Sequence, residues 1–269
     1  MKRFFLLHFL MIVSIFAFWG CQKGINLDDV SIPNRSSQTN LAIQIAEEVG
    51  IMHNEGLDYC YSKLNAINNI EFVFEDSLKM LLDREIKLYA DSYIASKRYD
   101  FSDVFCSNID NNISVTLNKV FNDSLPTLIF QNRVQAMYYD SIISIVENEL
   151  LSYNDVLLYL NTLKENVINN FSNQEDLLVV LVGIEVAKNS YIYWYNDVKW
   201  KSLFADLKSS SDRKWFDWGN VWDGDIAGAV GGAIGGLPGG LPGVGTGALL
   251  GGIGGSAGMA VIQVIHHWI

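Results

Sequence analysis

Proline and cysteine are scarce in this 269-residue chain, at 4 and 3 copies, and positive charge is outnumbered, with 19 Lys and Arg against 30 Asp and Glu. A net charge of −11 repels a phosphate backbone, so nucleic acid is not an expected partner. Three cysteines are too few for a disulfide framework. Few prolines leave long stretches free to be helical, and no useful run alternates polar with apolar residues as a half-buried strand would. Gly-x-Ser-x-Gly, Cys-x-x-Cys and any phosphate-binding loop are missing as well, so no motif argues for an enzyme or for a cofactor.

The most informative absence is charge beyond Asp225. From Ile226 onward there is no Asp, Glu, Lys or Arg, and 16 of the 22 glycines crowd between Gly224 and Ala260. One row recurs every four residues at Gly231, Gly235, Gly239, Gly243, Gly247, Gly251 and Gly255. A neighbouring row holds Gly224, Gly228, Gly232, Gly236 and Gly240. Spacing of four lines small residues along one helical face, the pattern that lets helices approach closely in a membrane. In water a helical glycine costs roughly 1 kcal/mol relative to alanine, so the run falls on the order of 15 kcal/mol short of standing alone. In lipid an unpaired backbone group costs several kcal/mol, and helix formation is forced. Pro238 and Pro242 divide the run into arms Ile226–Leu237 and Val244–Ile265, roughly 18 and 33 Å long. Only the second matches a bilayer of about 30 Å. The expectation is a glycine-zipper membrane segment over residues 224–269, bent into a helical hairpin, with lipid as partner and homo-oligomer contacts along its small faces.

The other end of the chain points to export. Lys2-Arg3 precede an apolar run from Phe4 to Trp19, the build of a signal peptide over residues 1–20. Phe18-Trp19-Gly20-Cys21 resembles the lipobox of bacterial lipoproteins, which implies lipidation at Cys21 and a cell-envelope location, the outer membrane before the inner. Residues 21–37 lack periodicity and read as a tether.

Residues 38–205 carry helical spacing and read as an acidic bundle. Helices are expected from Thr39 through Leu64, over Phe72–Arg98, Ile113–Phe121, Gln131–Leu151 and Asn154–Phe171, with Asp100–Asn112 as a loop. Ser172-x-x-Glu175 reads as a capping box ahead of a buried helix whose residues Leu177–Ile184 are apolar or small throughout. The fold class expected is therefore all-α: a helical bundle followed by a glycine-rich helical hairpin. His53 sits on an apolar stripe, and Glu55, two residues on, faces elsewhere, so His53 reads as a hydrogen-bonded core residue and no metal site is expected. Glu47-Glu48 read as a solvated face. Cys60 and Cys106 could form one disulfide outside the cytoplasm or stay as two thiols.

Between bundle and zipper lies an aromatic collar, residues 206–223. Trp194 and Trp200 at the end of the bundle and Trp215, Trp218 and Trp222 in the collar mix with lysines, and Trp268 follows the zipper; such residues favour a water–lipid interface.

Gly50-Ile51-Met52-His53-Asn54-Glu55-Gly56-Leu57-Asp58-Tyr59, Glu185-Val186-Ala187-Lys188-Asn189-Ser190-Tyr191-Ile192-Tyr193-Trp194 and the glycine-rich end together resemble a group of Bacteroidetes exported proteins, which implies an architecture and no activity. Asp76-Ser77-Leu78, Asp123-Ser124-Leu125 and Asp140-Ser141-Ile142 resemble the O-glycosylation sites of such proteins. The C-terminal stretch alone resembles the glycine zippers of small envelope lipoproteins and two-peptide bacteriocins. The functional expectation is an envelope lipoprotein that acts by binding or assembly with a protein partner. The alternative is a bacteriocin-like or pore-forming effector whose zipper oligomerises in a target membrane.

Overall fold

The computed structural model describes residues 35–67, 75–122, 128, 130, 133–196, 199–200 and 217–268. The chain divides into two compact units, Met1–Gln38 and Thr39–Ile269. Of the first, only the helical residues Arg35–Gln38 are described. The signal peptide, Cys21 and the tether up to residue 34 lie outside the described residues, as do collar residues 206–216 with Trp215. The last tether residues, Arg35–Ser37, are helical instead.

The described residues hold α-helices and no strand. In order they are α1 (Arg35–Asn65), α2 (Glu75–Lys97), α3 (Asp103–Val120), α4 (Arg133–Val146), α5 (Tyr153–Asn170), α6 (Gln174–Asn196), α7 (Trp218–Gly236) and α8 (Gly240–Trp268). The expected loop over Asp100–Asn112 is largely helix. Ser102 caps α3 by accepting from the Phe105 N–H, and Phe105, Ile109, Ile113 and Leu117 bury one face at four-residue spacing while the Asp and Asn residues take the wet side. The start of α6 also differs from expectation. Asn173, not Ser172, supplies the capping oxygen, which accepts from the Asp176 N–H at 2.8 Å. A complete capping box stands instead at Ser152 and Asp155, ahead of α5.

The glycine-rich run is not a separate domain. α7 and α8 form an antiparallel hairpin within the second unit, and their side chains belong to the same core cluster as those of the bundle. A short 3-10 turn, Leu237–Gly239, joins them, and Gly240 follows with φ of 62°, a left-handed value that favours glycine. Pro242 falls in the first turn of α8, where its missing N–H leaves no helical bond unmade. Around the hairpin stand α2, α3 and α6 against α8, with α3, α4 and α6 against α7, while α5 packs outside on α4 and α6. Ile45, Val49, His53 and Gly56 bring α1 onto Gly245, Gly252 and Ile253 of α8. The entire stretch Leu177–Ala187 of α6 is buried, including the apolar or small run Leu177–Ile184 and the charged Glu185.

The two glycine rows meet across the hairpin. Gly224 faces Gly255, Gly228 faces Gly251, Gly232 faces Gly247 and Gly236 faces Gly243, each pair stepping four residues down one helix and up the other. A methyl group on Gly232 would lie 2.7 Å from the carbonyl carbon of Gly247. The facing atoms are backbone, and backbone cannot swing aside. Gly235 and Gly239 point outward at Asn112 and Phe105 of α3, Gly231 is half-buried, and Gly240 makes the turn. The stripe expected to join separate chains is thus filled within one chain.

Two substitutions three residues apart should therefore act in opposite directions. Gly251→Ala drives a methyl into the Gly228 carbonyl group and is expected to destabilise by on the order of 3 kcal/mol. At Gly254 the nearest atoms, on Thr116 and Ile86, stand 3.8 and 4.0 Å from a Cβ, so Gly254→Ala should stabilise by roughly 0.5–1 kcal/mol through helix propensity. Urea unfolding of both variants measures the difference, and equal effects would refute the placing of Gly251 at the backbone contact.

Candidate functional site at the head of the hairpin

The hairpin's last charges before its uncharged run are Asp223 and Asp225, on the second turn of α7. Asp217 starts that helix by accepting from the Gly219 N–H at 2.9 Å. Its backbone also meets the far end of α8: the Asp217 N–H donates to Gln263 Oε1 at 2.6 Å, and Gln263 Nε2 donates to the Asp217 carbonyl at 2.9 Å. The hairpin is thereby closed at its open end as well as at its turn.

Asp225 is fully buried. Four-residue spacing on α6 turns Ser190 and Trp194 toward it. The Ser190 hydroxyl donates to Oδ2, and Trp194 Nε1 donates to the same oxygen at 3.1 Å. From α1, His53 Nε2 faces Oδ1 at 3.5 Å, both side chains being wholly enclosed. Asn54 Nδ2 donates to the Asn189 carbonyl at 3.0 Å, which leaves its Oδ1 to accept from His53 Nδ1 at 3.1 Å. Nε2 is therefore the nitrogen aimed at the carboxylate. Both hydrogen bonds converge on Oδ2, while Oδ1 and His53 Nε2 have no hydrogen-bond partner; with Nδ1 donating to Asn54, Nε2 offers a proton to Oδ1 only in the imidazolium form.

Ser, Asp and His meet here in an order that cannot activate a nucleophile. A catalytic serine gives its proton to histidine, whereas the Ser190 hydroxyl is held by Asp225, and the histidine lies beyond the acid. With all three sealed from solvent, the cluster is a tie between helices. His53 is the buried core histidine read from the sequence. Asp225 and Ser190 were not singled out there, although a lone acid at the threshold of an uncharged run, with a histidine on an apolar stripe elsewhere, was a visible signal.

Asp223 stands on the other side of α7, near Glu147 and Tyr139. Burial first, then the Glu147 charge and a hydrogen bond with that carboxyl, push its carboxyl up to about 7.

Trp194 and Trp200 sit otherwise than an interface belt requires. Trp194 and Trp200 are buried at 1% and 0% exposure and lie against each other with ring centroids 5.5 Å apart. Each indole N–H has a protein acceptor, Asp225 for Trp194 and the Tyr193 hydroxyl, at 2.8 Å, for Trp200. They close the bundle's core. Trp222 is half-buried against Tyr191 at 5.0 Å. The side chains of Trp218 and Trp268 lie outside what is described. Cys60, on α1, and Cys106, on α3, are both free; burial pushes the Cys60 thiol up to about 12 and raises that of Cys106 as well, which holds both as unreactive thiols. Of the three Asp-Ser motifs, Ser77 is exposed on α2, Ser141 is half-buried with its hydroxyl donating to the Met137 carbonyl at 2.8 Å, and Ser124 lies outside the described residues. No group of three or more His, Cys, Asp or Glu suited to a metal occurs among the described residues.

Asp223 sets a pH dependence whose sign follows from its direction. Its folded value lies above that of an unfolded aspartate, about 3.9, so the native state holds the proton more tightly. Stability from this source is complete below about pH 4 and is lost as pH rises through about 7. D223N should raise the urea midpoint over wild type at pH 8, with the gap closing by pH 4; a gap that is constant or widens on acidification would refute this account.

No family model, curated protein or solved structure matches the chain.

Proposed function

We propose that the protein is an exported, non-enzymatic envelope protein that keeps a membrane-entering glycine hairpin, Ile226–Ile265, inside a helical coat and acts when that coat opens against a membrane. The observation that supports this most is the enclosure of the hairpin. Both α6 and the hairpin are long and apolar enough to cross a bilayer, yet both are buried against other helices. A segment embedded in lipid at rest would leave its outer faces free of protein. Here α1, α2, α3 and α6 cover them. Such a hairpin suits a chain that meets water first and lipid later, which favours the pore-forming effector, with its zipper-bearing hairpin assembling in a target membrane, over a permanently inserted segment.

The second reading is a resident lipoprotein, most simply of the outer membrane, anchored at Cys21 and acting by binding a protein partner. It is supported by the Gly20-Cys21 junction and its likeness to a lipobox. In that case the hairpin serves as the core of the binding domain.

Vesicles separate the two. Wild-type protein mixed with phosphatidylcholine vesicles in urea just below its unfolding midpoint should co-float with them, release an entrapped dye and protect Ile226–Ile265 from protease. If the opened protein stays in solution and that stretch is cut, the membrane-entering reading is wrong. The anchor is tested apart: Cys21→Ala should leave the precursor unprocessed and without lipid label in an exporting bacterium, and maturation to the wild-type size would sink it.

A further inference from the structure

Resting on that reading, we infer that Asp225, held by Ser190, Trp194 and His53, is the latch that keeps the hairpin in its coat. The reason lies in what lipid can and cannot replace. Beyond Asp225 the described contacts of hairpin with coat are mostly glycine, methyl and ring contacts, Val230 against Gly183, Ile253 against Gly56, Gly258 against Val120 and Leu117, Gly239 against Phe105, with the Asn112 amide against Gly235 as the polar neighbour. Lipid tails offer such groups surroundings as apolar as the coat does, so these contacts give the chain little preference between bundle and bilayer.

The contacts at the head of α7 differ. In the bundle the Asp225 carboxylate accepts from a hydroxyl and an indole N–H and faces an imidazole, on two helices of the coat. In a bilayer it would lose all three and stand as an unpaired charge at the mouth of the inserted segment, among the costliest groups to place there. The two losses have the same sign. Asp225 therefore opposes insertion twice, by what it gains in the coat and by what it would lack in lipid. Asp223, two residues earlier on the same helix, stands near Glu147, just past the end of α4. Among the described residues the side-chain hydrogen bonds from coat to hairpin fall on Asp225, and opening starts where they are undone.

Breaking any core contact would also loosen a bundle, so the test compares the latch with ordinary destabilisation. Leu160 is fully buried on α5, which packs on α4 and α6 outside the hairpin. Leu160→Ala is the control, made in the full mature chain alongside Asp225→Asn and the milder Ser190→Ala. Each is mixed with phosphatidylcholine vesicles at the urea concentration that unfolds the same small fraction of it. The readout is the fraction floating with vesicles and protease-protected over Ile226–Ile265. Asp225→Asn should exceed Leu160→Ala by at least about tenfold, a factor corresponding to about 1.4 kcal/mol, and Ser190→Ala should fall between. If all three insert equally at matched opening, the latch is refuted while the membrane-entering reading stands. If none inserts, and opened wild type does not either, both fail. Should Asp225→Asn not fold, Ser190→Ala against Leu160→Ala decides alone, and equality refutes the latch.

Discussion

Everything in this fold depends on the approach of two helices to backbone contact. Four facing glycine pairs bring the carbonyl of one helix to where a side chain of the other would begin, and no residue with a Cβ fits there without parting the hairpin. Closeness of this kind stabilises through many small dispersion contacts between main chains, and it sets the hairpin's width. The coat is built to that width: Phe105 reaches Gly239 and Gly243, and Ile45 reaches Gly245, because these outward positions are glycine too.

Glycine helices need surroundings that keep water from their backbone, and the sequence argument to that point stands. A deficit on the order of 15 kcal/mol rules out a lone helix in water. It does not say what excludes the water. Lipid satisfies the requirement, and so does a coat of protein helices, whose buried faces supply Leu82, Ile86, Ile113 and Leu117 at 1% exposure or less. Periodicity within one segment cannot distinguish these solvents, because the coat is made of residues remote in the chain. The same remoteness hid the roles of Trp194 and Trp200, whose amphipathic character fits an interface as well as it fits a core with acceptors waiting.

Local signals fared better where one residue type decides the backbone. The turn between the arms was legible from Pro238 and Pro242, and the burial of α6 from the apolar or small residues Leu177–Ile184, within the buried stretch Leu177–Ala187. Of α3 only the second half, from Ile113, was legible, because Asn and Asp on the wet face of its first half carry the composition of a loop, and the buried Phe105 and Ile109 are too few to outweigh them. Caps misled by one residue, since Ser172 and Asn173 are both able to supply the oxygen and only the chain's approach to α6 chooses between them. Asp225 stood out as an acid at the edge of an uncharged run, but its partners did not, because they come from positions 53, 190 and 194 and nothing in its neighbours names them.

What becomes of the coat once a hairpin leaves it follows from the faces it exposes. α2 would present Leu78, Leu82, Ile86 and Tyr93, and α3 would present Phe105, Ile109, Ile113 and Leu117, each an apolar stripe along one side of a helix with charge on the other. Water does not suit such stripes, and helices of that build settle in the plane of a membrane surface. The chain's negative charge sets a limit on which surface, since anionic lipid would repel it at short range and salt would weaken that repulsion within about 10 Å. Links within the coat resist the spreading: Lys164 of α5 joins Glu185 of α6 at 2.7 Å and Glu47 of α1 at 2.6 Å. None of these three residues belongs to the hairpin. The ties that hold the coat together are thus distinct from those that hold the hairpin in it, and such a division lets a hairpin be released before its coat comes apart.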